Sequence, residues 1–206
     1  MIQALILLLQ IISCMGFGAV VLGRLKLMDK CSSFEALTWS FVIGVGILGW
    51  LIFFLGLADL FKTVPLLTIM FCGLAGFLQA LLPKVGRFPI NNNQNYTALD
   101  YTLLIILIFV LIMDLAEAVS PPADADTLAY HFALPKLFVV NQGIEFIPRA
   151  ADGAIPLLIQ MTYVPVYALG GELALTLWTT ASGWGTSAAL YALSARYLNR
   201  SWSLAT

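Results

Sequence analysis

Long apolar runs alternate with short polar stretches along this chain, and the length of each run sets the first expectation. Residues 2–23, 37–58, 64–82, 101–119 and 173–197 are predominantly hydrophobic, and each approaches the ~20 residues that a helix needs to cross a hydrocarbon core. A sixth stretch, 156–169, is shorter and contains Gln160 and Pro165. It is read as a helix lying at the membrane interface rather than across it. Polar breaks separate the runs: Arg24, Lys26 and Lys30 after the first, Asp59, Lys62 and Thr63 after the second, an asparagine-rich loop over 83–100 after the third, and a long polar segment from Ser120 to about Gly153 after the fourth. Gly170 and Gly171 interrupt the chain ahead of the last run. The pattern predicts an all-α, polytopic transmembrane protein of about five spans. Its three regions are four N-terminal helices over 1–119, a loop with short surface helices over 120–171, and a fifth helix with its end over 172–206.

Composition agrees with this class. Hydrophobic residues make up 61% and charged residues 10%, with a mean hydropathy of +0.94, far from the balance of an ordinary soluble domain. The net charge of −1 and the scattering of ten basic residues give no patch for nucleic acid. Cys14, Cys31 and Cys72 lack the spacing of a zinc site or a disulfide framework. The glycines of the second run, Gly44, Gly46, Gly49 and Gly56, suit close approach of a neighbouring helix.

Charge supplies an orientation. With the first, third and last connections on the cytoplasmic side, seven of the ten basic residues lie there (Arg24, Lys26, Lys30, Lys84, Arg87, Arg196 and Arg200), as the positive-inside rule requires. The polar segment after the fourth run then faces away from the cytoplasm.

Candidate chemistry is concentrated in that segment, between Ser120 and Lys136. It holds Asp124, Asp126, Tyr130, Lys136 and His131, the one histidine of the chain. Asp126 is placed to cap a helix starting at Thr127, with Tyr130 one turn on along the same face. Pro135 lacks an N–H and should bend the segment near His131, and Asn141-Gln142-Gly143 is a C-terminal stop. Each residue also admits a plainer role. Asp124 or Asp126 serves as a simple N-cap, His131 makes an interfacial hydrogen bond, and Lys136 and Arg149 touch lipid headgroups. His131 has no partner at metal-ligand spacing, so no metal or other cofactor is indicated. Asp114, just inside the fourth run, is an intramembrane acid that must face protein or water.

The run D-A-D-T-L-A-Y-H-F-A-L-P-K-L-F, followed by N-Q-G-I-E-F-I-P and P-L-L-I-Q-M-T-Y, resembles the first large periplasmic loop of bacterial GT-C superfamily membrane glycosyltransferases, in the RgtA/B/C/D-like, ArnT/PMT-like branch. The resemblance covers about residues 114–200. It implies a bacterial inner-membrane enzyme that transfers a sugar from a polyprenyl-phosphate-linked donor to an acceptor hydroxyl on a lipid or glycan at the periplasmic face. By motif position the catalytic base falls on Asp126, with Asp124 next. The leaving phosphate would be steadied by Lys136, Arg149 or His131, and Tyr130 would share the substrate site. Members of that family continue through many more spans, so the likeness is to an N-terminal portion. A non-enzymatic membrane subunit and a small transporter component are the alternative readings.

Overall fold

The computed structural model describes residues 1–81, 96–148 and 158–206. Helix accounts for the regular structure, and no strand occurs among the described residues. In chain order the helices are α1 (Ile2–Arg24), α2 (Ser33–Leu57), α3 (Thr63–Leu81), α4 (Ala98–Ala118), α5 (Ala133–Asn141), α6 (Leu158–Met161), α7 (Tyr163–Ser194) and α8 (Arg200–Ala205). A 3₁₀ turn, Met28–Lys30, links α1 to α2, and a π turn, Thr127–His131, precedes α5.

Local chemistry fixes several boundaries. α2 opens on a capping box, in which the Glu35 N–H donates to Ser32 Oγ at 3.2 Å while the Ser32 N–H donates to Glu35 Oε2 at 2.7 Å. Thr97 and Asp100 repeat the device at α4, with N–H donors at 2.8 and 3.2 Å. Gly171 interrupts α7 at φ 75° and ψ −165°, a conformation essentially restricted to glycine.

Four helices, α1 to α4, are long and apolar enough to cross a membrane. α7 is the fifth predicted span, and beyond Gly171 it is also long enough. It falls outside the four because Thr176, Thr179, Thr180, Ser182, Gly183 and Gly185 dilute its apolar character. It nevertheless runs from one end of the bundle to the other: Gly170 packs beside Ile6 near the start of α1, and Arg196, just past its end, pairs with Glu35 at the start of α2.

α1 and α2 form the centre, with 39% of each apolar window buried against 17% in α3 and 6% in α4. Glycine makes this possible. A methyl group on Gly44 would run into the Cys14 carbonyl, one on Gly18 into that of Ser40, and one on Gly16 into that of Gly73. The backbones of α1, α2 and α3 therefore touch directly. Gly46, in contrast, faces open space.

The middle of the segment expected to lie at the interface, residues 160–166, is instead buried in the bundle. From residue 158 onward, Met161, Thr162, Val164 and Val166 have no exposed surface, and Gly49 leaves room on α2 for the Leu158 backbone, whose oxygen would lie 2.7 Å from an added Cβ. Thr162 joins this wedge to its neighbours: Gln10 Nε2 donates to the Thr162 carbonyl at 2.8 Å and Trp178 Nε1 donates to Thr162 Oγ1 at 2.9 Å, while Gln10 Oε1 and Gln160 Oε1 are buried with no hydrogen-bond partner among the described residues. A glutamine deep in α1 thus anchors a chain that reads as too short and broken to enter the bundle.

Candidate functional site

The polar segment begins at the end of α4 and folds over the same end of the bundle as the α2–α3 turn. The Ile144 N–H donates to the Gly56 carbonyl at 3.1 Å, and the Phe61 N–H donates to that of Gln142 at 3.0 Å. Gly143 packs against Asp59, whose carboxylate would have to shift to admit a side chain there. The predicted stop after α5 is present: Gln142 takes φ 61°, and the Gly143 N–H returns to the Phe138 carbonyl at 3.1 Å. Upstream, the helix widens into the π turn four residues ahead of Pro135, where the Phe132 N–H reaches back to the Thr127 carbonyl at 3.0 Å. The expected bend takes this form.

The two aspartates exchange expected duties. Asp124, not Asp126, is the cap: its Oδ2 accepts from the Thr127 N–H at 3.0 Å and from the Thr127 hydroxyl at 3.1 Å. Ala125 and Asp126 are already helical, so the helix starts two residues earlier than expected and Asp126 makes no cap bond. The Thr127 N–H and then its hydroxyl hold the Asp124 carboxyl below the usual carboxylate range. Asp126 is exposed.

A cavity of about 610 Å³ opens between the end of α4, residues 118–127 and α7. Asp114, Glu117 and Asp124 supply carboxylates, and Ser120, Thr127, Thr176, Thr179, Thr180 and Ser187 supply hydroxyls, with Trp184 and Phe132 as aromatic wall. Asp114 finds the protein partner an intramembrane acid needs, since Trp184 Nε1 donates to its Oδ2 at 3.1 Å. The α7 hydroxyls bond back to the preceding turn, Thr176 to the Leu173 carbonyl at 3.0 Å and Thr179 to that of Thr176 at 2.7 Å. That satisfies their protons and leaves oxygen lone pairs toward the cavity. An adjoining space of about 410 Å³ shares Ser120, Pro121, Pro122 and Thr176 and adds Val119, Leu128, Glu172 and Leu173.

Among the described residues of the predicted site, only Asp124 lines the larger cavity. Tyr130 and His131 stack at 4.1 Å between ring centroids, and His131 Nδ1 lies 2.9 Å from Gln160 Nε2 on the buried wedge. Lys136 is paired with Glu172 at 2.7 Å and sits 5.9 and 5.7 Å from the Phe132 and Tyr167 rings. Its charge is therefore already balanced, just past the Gly171 break. Arg149 lies outside the described residues. No group of three His, Cys, Asp or Glu side chains is disposed to hold a metal ion among the described residues.

Sequence reasoning missed Glu172, Trp184 and the hydroxyl stripe of α7. The stripe was legible, since Thr176, Thr180, Gly183 and Ser187 recur at helical spacing. Comparisons with family models, with characterised proteins and with solved structures find no match to this chain.

Proposed function

We propose that this chain is a membrane glycosyltransferase, or the N-terminal portion of one, that transfers a sugar from a polyprenyl-phosphate donor to an acceptor hydroxyl at the periplasmic face of the bacterial inner membrane. The observation that carries the reading is the cavity between α4 and α7, whose carboxylates, hydroxyls and indole match the two faces of a sugar. Carboxylates accept from sugar hydroxyls, and an aromatic ring covers the C–H face.

In the proposed reaction the acceptor oxygen bonds to the anomeric carbon, the bond from that carbon to the phosphate oxygen breaks, and the lipid phosphate leaves with the electron pair. A carboxylate takes the acceptor proton. Asp126 is assigned that role by the motif resemblance and has no cap to hold. It lies between two residues of the cavity wall, Asp124 and Thr127, without lining the cavity itself, whereas Asp124 lines it but is committed to the Thr127 backbone. Lys136, released from Glu172, is the cation proposed to steady the leaving phosphate, with His131 and Arg149 the other candidates by sequence.

The test is transfer from a radiolabelled polyprenyl-phosphate sugar in membranes holding the full chain. Asp126→Asn should abolish transfer at unchanged protein level, while Asp124→Asn, which keeps a cap, should retain most of the rate. Parental rates in both variants would remove the catalytic reading of the loop. The exposure of α4, only 6% buried over its apolar window, favours a second reading as a non-enzymatic membrane subunit. Failure of the labelled donor to bind at all would select it.

A further inference from the structure

Across the cavity between α4 and α7, an acid of one wall holds an aromatic ring of the other. Trp184 stands on α7, and its Nε1 donates to Asp114 Oδ2 on α4 at 3.1 Å; both residues line the cavity. We propose that Trp184 is the platform on which the sugar ring of the donor stacks, and that Asp114 is the positioning residue that holds this platform in place. The proposal rests on the glycosyltransferase reading and gives its sugar subsite to the α4–α7 wall.

The hydrogen bond decides what the indole can offer. With its N–H given to Asp114, Trp184 has no donor left, and it lines the cavity with apolar ring. One face of a sugar is a set of weakly positive C–H groups, which the negative face of an aromatic ring attracts, while the sugar hydroxyls project around the edge. Hydroxyls of the protein meet that edge. Thr180 and Ser187 stand four residues before and three residues after Trp184, on the same face of α7, and both line the cavity. Thr180 Oγ1 gives its proton to the Thr176 carbonyl at 3.3 Å, which leaves lone pairs to accept from a sugar hydroxyl. Room is present as well: Gly183, beside the indole on the cavity wall, would carry a Cβ with no atom within 4 Å.

Asp114 has a reason to be where it is. It lies four residues inside the end of α4 at Ala118, and an ionisable side chain within a span is costly where it serves packing alone. Its bond to Trp184 is charge-assisted and bridges two helices. A ring oriented in advance loses little freedom when the sugar arrives.

The test titrates the full chain in detergent with two radiolabelled ligands, a polyprenyl-phosphate hexose and the sugar-free polyprenyl phosphate. Trp184→Ala should weaken the hexose donor by about tenfold and leave the sugar-free lipid unchanged, because only the sugar reaches the platform. Trp184→Phe keeps a ring without the N–H and should fall between the two. Asp114→Asn keeps an oxygen that accepts from Nε1 and should bind the donor like the parent, whereas Asp114→Leu should bind it as weakly as Trp184→Ala. The hexose donor should quench tryptophan emission in the parent and in Asp114→Asn, and should not in Trp184→Phe. Parental donor affinity in Trp184→Ala, or a parental quench in Trp184→Phe, would overturn the platform and leave the glycosyltransferase reading standing. Equal loss of both ligands in Trp184→Ala would reduce the indole to a packing role and overturn the proposal. Equal loss of the donor in Asp114→Asn and Asp114→Leu would place the carboxylate charge on the sugar and overturn the positioning role. Failure of the parent to bind the donor would remove the glycosyltransferase reading and the platform with it.

Discussion

At the residue scale, one intervening alanine separates the two acids with opposite duties in the candidate loop. Asp124 spends its carboxylate on the Thr127 N–H and hydroxyl, and Asp126 lies on the first turn with no cap bond. Asp126→Ala should therefore leave thermal stability in detergent close to the parent, and Asp124→Ala should lower it, with Asp124→Asn in between or equal to the parent. The reverse order would return the cap to Asp126. The pH dependence follows from the sign of the shift. The Asp124 carboxyl titrates below its usual range, so its support for the turn is full above the unfolded-state value and fades as pH falls through the depressed one. Exchange of the Thr127 and Leu128 amides should stay protected down to roughly pH 4 and lose protection below it. Asp124→Asn, having nothing to titrate, should show no such step.

At the element scale, backbone contact decides how α1, α2 and α3 assemble. Gly44 and Gly46 are two residues apart on α2, but only Gly44 meets a neighbour, the Cys14 carbonyl. Gly44→Ala should force α1 and α2 apart at a cost of about 1–3 kcal/mol or more, as overpacking does. Gly46→Ala should be neutral or slightly stabilising, since alanine is the better helix former by roughly 1 kcal/mol. Thermal unfolding of the two variants side by side separates packing from helix propensity. Gly171 is a different case. Nothing lies within 4 Å of an added Cβ, yet the combination of φ 75° with ψ −165° is essentially restricted to glycine. Gly171→Ala should cost about 1–3 kcal/mol through the backbone alone, and should loosen the Lys136–Glu172 pair next to the break.

At the scale of the whole molecule, the two ends carry different charge. Among the described residues five basic side chains lie at the end with the α1–α2 link and α8, and two lie at the end with the candidate loop. The first end should therefore be cytoplasmic. Cysteines introduced one at a time at Val140 and Tyr197, exposed at 73% and 79%, should label from opposite faces of intact cells in a Cys72→Ser background, where Cys14 and Cys31 stay buried, with Val140→Cys reached from outside. Labelling of both from one face would contradict the arrangement. Gly143 is the poorer position for such a probe, because a side chain there would displace the Asp59 carboxylate.

Short-range physics was legible in the sequence. Apolar runs longer than a bilayer's hydrocarbon core demand helices, since unpaired backbone is too costly there. The Pro135 bend, the stop at 141–143 and the break at Gly170-Gly171 likewise follow from backbone chemistry within a few residues. The cap was misplaced by two residues because Asp-Ala-Asp offers two equal candidates, and the choice depends on where the chain leaves Pro121-Pro122. The remaining features join residues far apart in the chain. Lys136 meets Glu172 across 36 positions, Asp114 meets Trp184 across 70, and Gln10 meets Thr162 across 152. The burial of residues 160–166 was hidden for that reason: a short segment broken by Pro165 reads as unfit for the membrane until Gln10 and Gly49 of other helices supply its hydrogen bond and its space. Local sequence determined that this protein is a helical membrane bundle with a long polar segment after its fourth span. Only tertiary packing decided which side chains share a cavity, because partner choice is settled by helix contacts that no local pattern encodes.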